Sequence, residues 1–336
     1  MKICAIYIIF QLYAVLIAAL DRDTAPSQIH IALAGADAKK NSDSMTISWS
    51  TVKNTATTTV RYGKKSNLLT ESATGISVSY WQTYHHHVVL PSGLDPDTEY
   101  FYQVGDVLGG FSDVLSFKSA PLTGSKHNVK FAVFGDLGFY VGNKTTEYLS
   151  SVKNTLDLVV HSGDVGYADD SFLHKGCVLS FCYEDAFDNY MNSVQDWASA
   201  VPYMVGPGNH EAECHDPSCL AVKKRREMLS NFTAYNKRFL MPSNESKGTL
   251  NMWYSFNYAN AHFIMVDTET GYPGAPEETR YVLPCGGFGD HMAWLEQDLI
   301  AANADRANRP WVFAAGHHPM YQVIHASSYK IFDVTV

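Results

Sequence analysis

Four short polar motifs carry the residues able to do chemistry. They are Gly135-Asp136-Leu137-Gly138, Gly163-Asp164-Val165-Gly166-Tyr167-Ala168-Asp169, Gly206-Pro207-Gly208-Asn209-His210-Glu211 and Gly316-His317-His318-Pro319. Two aspartates, a tyrosine, an asparagine and several histidines form a mixed oxygen and nitrogen donor set suited to hard-to-borderline metal ions. A carboxylate placed between two cations bridges them, and cations about 3.5 to 4 Å apart can together activate a water and hold a phosphoryl oxygen. Glycines beside the donors let the backbone turn sharply, so that short carboxylates reach an ion. Singly, each motif has an ordinary reading, since Gly-Asp is common in turns and Asn-His can cap a helix beside a core histidine. Their joint order, each behind an apolar run, outweighs it.

Those apolar runs are the elements that position the motifs. Val129–Phe134, Leu156–His161, Val201–Val205 and Trp311–Ala315 each precede one motif, and a fifth run spans His262–Val266. Apolar runs of five or six residues, separated by helical stretches, predict an α/β domain with a mostly buried sheet. Ligands bind beyond the carboxyl ends of such strands, so the four loops are expected to converge. Phe187, Met191, Val194 and Ala198 mark one helix face, and Met292, Leu295 and Leu299 another. Both stripes read as core.

Residues from Gln28 to about Ala120 carry the signals of short strands instead. Ser44–Trp49 and Thr58–Tyr62 alternate, with turn-forming clusters between them. Leu94-Asp95-Pro96-Asp97-Thr98-Glu99-Tyr100, running on to Val104, looks like the tyrosine corner and following strand of a fibronectin-III-like sandwich, and Trp49 fits as its buried strand tryptophan. His85-His86-His87 invites a metal reading, but a strand sends successive side chains to opposite faces, so three in a row cannot converge on one ion. They read better as the place where the sandwich meets the next domain. Ser119 to Asn128 is the linker.

A chain of 336 residues is long enough for two cores, and 46% hydrophobic with 18% charged residues is an ordinary globular composition. A net charge of -9 provides no basic field for nucleic acid, which is excluded as a partner. Met1-Lys2, an apolar run from Ile3 to Leu20 and small residues at Ala18 and Ala19 read as a signal peptide cleaved near residues 18 to 20, so secretion is expected and a stable membrane anchor is not. Sequons at Asn143, Asn231 and Asn244 agree with the secretory route. Without Cys4, five cysteines remain: Cys177, Cys182, Cys214, Cys219 and Cys285. In an oxidising compartment they read as disulfide formers, and the odd one is a free thiol or lacks its partner. His215 beside Cys214 makes zinc a competing reading, but neither four-residue gap matches a zinc knuckle.

GDLG, GDVGYAD, GNHE and GHHP, in this order, resemble the metallophosphoesterase pattern, and the tyrosine three residues after the second aspartate marks its purple acid phosphatase branch. The resemblance runs through Tyr321. It implies an all-β fibronectin-III-like sandwich over residues 21–122, after a signal peptide at 1–20, followed by an α/β (αββα-type) metallophosphoesterase domain over 123–336. It implies a secreted acid phosphatase acting on small phosphate monoesters with a dinuclear centre: Asp136, Asp164 and Tyr167 on Fe(III), whose bond to the tyrosinate gives a purple colour, and Asp164 bridging to a divalent Zn, Mn or Fe(II) held also by Asn209 and His317. His210 would hydrogen-bond the phosphate or protonate the leaving group, and His318 would point elsewhere. The family's last motif, Gly-His-x-His, is not found before Val336, and His325 stands in a different context. The domain is therefore expected to be incomplete at its C-terminus, with each metal one protein ligand short, an unpaired sheet edge and Ile331 and Phe332 exposed. An impaired enzyme, or a secreted binding protein, is the alternative this implies.

Overall fold

In the computed structural model residues 22–34, 42–178, 180–273, 275 and 283–318 are described, with the backbone of 330–334. Residues 1 to 20, read above as a signal peptide, and Tyr321 and His325 lie outside the described residues.

Nine strands follow from the alternating and turn-punctuated first part: β1 (Ser27–Ala34), β2 (Ser44–Thr51), β3 (Thr59–Gly63), β4 (Glu71–Thr74), β5 (Ile76–Tyr80), β6 (Thr83–Val89), β7 (Glu99–Asp106), β8 (Gly110–Phe111) and β9 (Leu115–Lys118). They form two sheets, β1-β2-β6-β5 and β4-β3-β7-β8 with β9 on β7, which is a β-sandwich. Trp49 is buried and stacks on His86 at a centroid distance of 5.1 Å. The Tyr100 hydroxyl accepts the Asp95 backbone N–H at 3.0 Å, the bond that makes a tyrosine corner.

The second part opens with β10 (Val129–Phe134), α1 (Asn143–Val152), β11 (Leu158–Ser162), α2 (Tyr183–Ala198) and β12 (Tyr203–Gly206), and continues with β13 (Tyr254–Tyr258), β14 (Ala261–Met265), α3 (His291–Ala304), β15 (Trp311–Ala315) and β16 (Lys330–Val334). β10, β11 and β12 run parallel, so their carboxyl ends and the loops behind them share one edge. β13, β14 and β15 form a second sheet in which β14 and β15 are parallel. The sheets face each other through Phe131, Phe256, Phe263 and Phe313, whose neighbouring rings lie 5.0 to 5.3 Å apart. α2 packs outside the first sheet, with Trp197 edge-on to Tyr203 at 4.8 Å, and buries Phe187, Met191, Val194 and Ala198.

One expectation is corrected. Met292 and Leu299 are 46% and 43% exposed, so that stripe of α3 faces outward. The helix turns Asp298 inward instead, where it accepts from Ser255 Oγ at 2.6 Å and meets His262 Nε2 at 2.8 Å. β16 pairs antiparallel with β10 and is the last strand of its sheet, with Phe332 opposite Phe131 and Ile331 opposite Ala132, as the β-branched and aromatic content of Lys330-Ile331-Phe332-Asp333-Val334 favours.

Sandwich and α/β part are bonded directly. Ile29 N–H donates to Gln195 Oε1 at 2.8 Å, Tyr80 OH to Glu184 at 3.0 Å and Tyr102 OH to the Ser199 carbonyl at 2.6 Å. His87 Nε2 lies 3.1 Å from the Lys237 carbonyl, so the histidine triplet reaches across at one of its three members.

Candidate metal centre

Asp136, Asp164 and Tyr167 share an unusual backbone. Their φ values of 58°, 52° and 50° lie in the left-handed region that L residues other than Asn and Asp seldom enter. Each turn carries its side chain back over the sheet edge. Ligand atoms of Asp136, Asp164 and His317 lie within 4.8 Å of one another. Tyr167 OH donates to Asp136 Oδ1 at 2.6 Å. His317 Nε2 is 3.2 Å from Asp164 Oδ2 and 3.2 Å from Asn209 Oδ1. Its Nδ1 faces the Ser162 carbonyl at 3.0 Å, which fixes Nδ1 as the N–H and leaves Nε2 free to ligate.

The loops are held together from beneath. Glu211, buried, accepts the backbone N–H groups of Asp164 at 2.9 Å, Val165 at 2.8 Å and Gly208 at 2.9 Å, and so ties the loop after β11 to the loop after β12. A Cβ at Gly208 would collide with the backbone N and Oδ1 of Asp164, so only glycine permits this approach. His210 donates its backbone N–H to Asp164 Oδ1 at 2.9 Å, lays its ring 4.1 Å from that of Tyr167 and sets Nδ1 2.9 Å from Asp169 Oδ2.

The carboxylates here set the titration of the groups around them. Burial, then the hydrogen bond to Asp136 and the charges of Asp164 and Asp136, push the Tyr167 phenol far above its ordinary pKa. Burial pushes the Asp164 carboxyl up, but the bond and charge of His317, with His210, outweigh it and hold the group below the usual carboxylate range. Burial lowers His210 and His317, yet Asp169 lifts the first to about 9 and Asp164 the second to about 9. Burial and the Asp164 charge push Glu211 up, against the backbone N–H groups of Val165 and Gly208, which favour its ionised form. A phenol, carboxylates, an amide oxygen and an imidazole nitrogen packed this closely fit polyvalent cations, whose charge would reverse the pressure on Tyr167.

Residues 26–119 match the purple acid phosphatase N-terminal domain, and residues 129–335 match the calcineurin-like phosphoesterases. The chain belongs to the purple acid phosphatase family. It is 34% identical over 312 residues to probable purple acid phosphatase 20 of Arabidopsis thaliana, covering 90% of this chain and 60% of that protein. Acid phosphatase A of Cryphonectria parasitica is 30% identical over 360 residues, covering 91% of this chain and 70% of its own. Acid phosphatase type 7 of Danio rerio is 32% identical, with 89% and 60% covered. A purple acid phosphatase from yellow lupin seeds shares the fold, with a TM-score of 0.64 at 22% identity over 87% of this chain and 51% of that one. The chain thus spans roughly 60 to 70% of the length of these curated relatives.

Within this purple acid phosphatase frame the structure gathers Asp136, Asp164, Tyr167, Asn209, His210 and His317, and turns His318 away to Glu269, 2.7 Å distant. Sequence reasoning passed over the residues behind them. Asp169 and Glu211 stood inside quoted motifs, and Glu269 follows the fifth strand in Asp267-Thr268-Glu269-Thr270. A carboxylate closing a strand-end motif was the available signal. Cys177 pairs with Cys182 and Cys214 with Cys219, which removes the sulfur ligands a zinc site beside His215 would need. Cys285 is a buried thiol, pushed by burial up to about 12.

Proposed function

We propose that the chain is a secreted acid phosphatase that hydrolyses small phosphate monoesters at an Fe(III) and divalent metal pair, the divalent ion being Zn, Mn or Fe(II). The observation that carries this is the meeting of Asp136, Asp164 and His317 donor atoms within 4.8 Å, with Tyr167 and Asn209 on either side. In this reading Asp136, Asp164 and Tyr167 would hold the iron, and Asp164, Asn209 and His317 would hold the second ion. When bound, the cations supply positive charge against the phosphate oxygens, a more acidic water and, through Tyr167, a visible absorption band.

The chain's own residues do the rest. Glu211 and Gly208 keep the two loops in register, so that donors from different strands aim at one point. His210, with Nδ1 committed to Asp169, is left with Nε2 as the N–H on the metal side, 3.7 Å from Asp164 Oδ2. As the bond from phosphorus to the leaving oxygen breaks, that proton moves to the leaving oxygen, or in the bound ester it donates to a phosphate oxygen. Secretion and glycosylation belong to the same reading, supported by the two disulfides and by the exposure of Asn143 and Asn244. Among the described residues no helix is long and apolar enough to cross a membrane. The division into residues 21–122 and 123–336 is likewise proposed, the two matched regions falling on either side of it.

The test is reconstitution of the chain with iron and a divalent ion, followed by turnover of 4-nitrophenyl phosphate against bis(4-nitrophenyl) phosphate and a visible spectrum. Monoester turnover is expected to dominate and to be lost in Asp164→Ala, and Tyr167→Phe is expected to abolish the band. A band that survives in Tyr167→Phe sinks the iron assignment, and an Asp164→Ala variant as active as the parent sinks the site.

A further inference from the structure

The carboxylate that holds His210 carries a second imidazole. Asp169 is fully buried, and while one of its oxygens lies 2.9 Å from His210 Nδ1, His215 Nδ1 approaches the same group to 3.1 Å. The far nitrogen of that ring, Nε2, lies 3.3 Å from Oε1 of Glu213, another fully buried carboxylate. His215 is therefore gripped at both nitrogens, by groups that are not among the proposed metal ligands. Its hydrogen bonds to Asp169 and Glu213 outweigh burial and raise it to about 10, so both nitrogens carry protons to donate.

The backbone around the ring is closed as well. Cys214 immediately before it is bridged to Cys219, and both sulfurs are buried. Asp216 immediately after it caps the helical turn Pro217–Ala221, accepting Ser218 N–H at 2.7 Å on its side chain and Cys219 N–H at 2.8 Å on its carbonyl. A loop of four residues closed at both ends in this way has little backbone freedom left, which limits where the His215 ring can go. A carboxylate with a single partner swings about its terminal torsion, which is broad; two N–H donors arriving from different residues remove that swing.

We propose that His215 is a positioning residue for proton transfer: by donating to Asp169 it fixes the carboxylate that aims His210, and the Cys214–Cys219 bridge fixes His215 in turn. The inference rests on the role given to His210 above. Its consequence depends on the leaving group. An alkoxide leaves slowly without a proton, whereas a nitrophenolate leaves readily, so a loosened His210 costs alkyl esters more than aryl esters.

Two measurements on the full chain decide it. The first compares kcat of the metal-loaded protein on glycerol 2-phosphate and on 4-nitrophenyl phosphate for the parent, His215→Ala and His215→Asn, with metal content measured alongside. His215→Ala is expected to lose about tenfold more rate on the alkyl ester than on the aryl ester, and His215→Asn, whose amide N–H takes the place of Nδ1, to recover most of it. The second needs no turnover: the downfield proton resonance of the His210 Nδ1–H bonded to Asp169, assigned by its loss in His210→Gln, is recorded in the metal-free protein. It is expected to broaden away in His215→Ala and to persist in His215→Asn. Equal losses on both esters, an unchanged resonance in His215→Ala, or an asparagine variant that behaves like alanine each overturn the proposal. If His215→Ala does not fold, the resonance of His215→Asn decides, its retention supporting the proposal and its loss overturning it. A parent chain that hydrolyses neither ester defeats the phosphatase reading, and the resonance alone then judges His215.

Discussion

Asp136, Asp164 and Tyr167 sit where an L residue is strained, and the strain coincides with their proposed work. Left-handed φ costs a non-glycine residue on the order of 1 kcal/mol, and the turn it makes here is what swings each donor over the sheet edge. Glycine adopts the same φ without that cost. At Asp136 the side chain is exposed, so water can replace the carboxylate on the Tyr167 hydroxyl when it is removed. Asp136→Gly is therefore expected to leave the metal-free chain as stable as the parent, or up to about 1 kcal/mol more stable, while reducing the iron retained after reconstitution. Chemical denaturation and iron content, read on the same preparations, check both halves. A clear loss of stability in the metal-free state would mean that the carboxylate holds the loop and that its strain is not stored for a ligand. The donors themselves were legible because four short polar motifs recur in one chain, each behind an apolar run. Asp169 and His215 were not, since a buried carboxylate that orients a histidine and a histidine between two cysteines look, one residue at a time, like ordinary turn chemistry.

At the scale of elements, the bond pattern around Glu211 decides whether two loops stay together. Its oxygens take three backbone N–H groups from the segments after β11 and β12. Glu211→Gln keeps the size but replaces one acceptor oxygen with an NH2 group facing donors, which leaves at least one buried N–H unsatisfied at a cost of about 1 to 3 kcal/mol. A lower melting temperature in the metal-free chain is the expected result, with His210→Gln as the control that leaves the staple intact. If the Glu211 variant melts with the parent, water or a loop shift has replaced the carboxylate. The same kind of interaction explains where the fold escaped the sequence. β10 falls at the expected residues, 129–134, because a strand covered on both faces is an uninterrupted apolar run, and β15 falls at 311–315 on the same kind of run although Trp311 at its start is exposed. β13 went unforeseen and α3 was turned the wrong way, and both trace to one buried network. Asp298 on α3 bonds Ser255 and His262, and His262 Nδ1 lies 2.7 Å from Asn257 on β13, so polar residues occupy positions that a hydrophobic pattern assigns to the surface. Periodicity cannot register a core position filled by hydrogen-bonded polar groups.

At the scale of the whole molecule, histidines are built into the contact between the sandwich and the α/β part. His30 lies edge-on to Phe239 at 5.2 Å, His87 bonds Ser48 at 2.8 Å and reaches the Lys237 carbonyl, and His85 packs against Tyr80, whose hydroxyl holds Glu184. The buried Arg238 beside them is paired with Glu184 at 2.5 Å and Asp188 at 3.0 Å, so the carboxylates are already engaged and offer no second partner to an imidazolium. Burial accordingly holds His30 and His87 down to about 4 and His85 well below its ordinary value, the last helped by the charge of Arg238. The sign follows from these depressed values. Unfolded histidine takes its proton near pH 6.5, while the folded ring does not until about pH 4, so between the two the unfolded state binds more protons and acid favours it. The contribution is complete above the unfolded value and is withdrawn as pH falls, on the order of 3 kcal/mol for each of His30 and His87. Because the contacts join both parts of the chain, they are expected to melt together, with one transition whose midpoint drops between pH 6.5 and 4. Calorimetry across that range, on the parent and on His87→Gln, tests the claim: the variant loses contacts and so begins lower at pH 7, but its midpoint falls less on acidification. A variant that falls as steeply as the parent, or two transitions that move independently, would place the acid sensitivity elsewhere and leave the histidine contact a matter of packing alone.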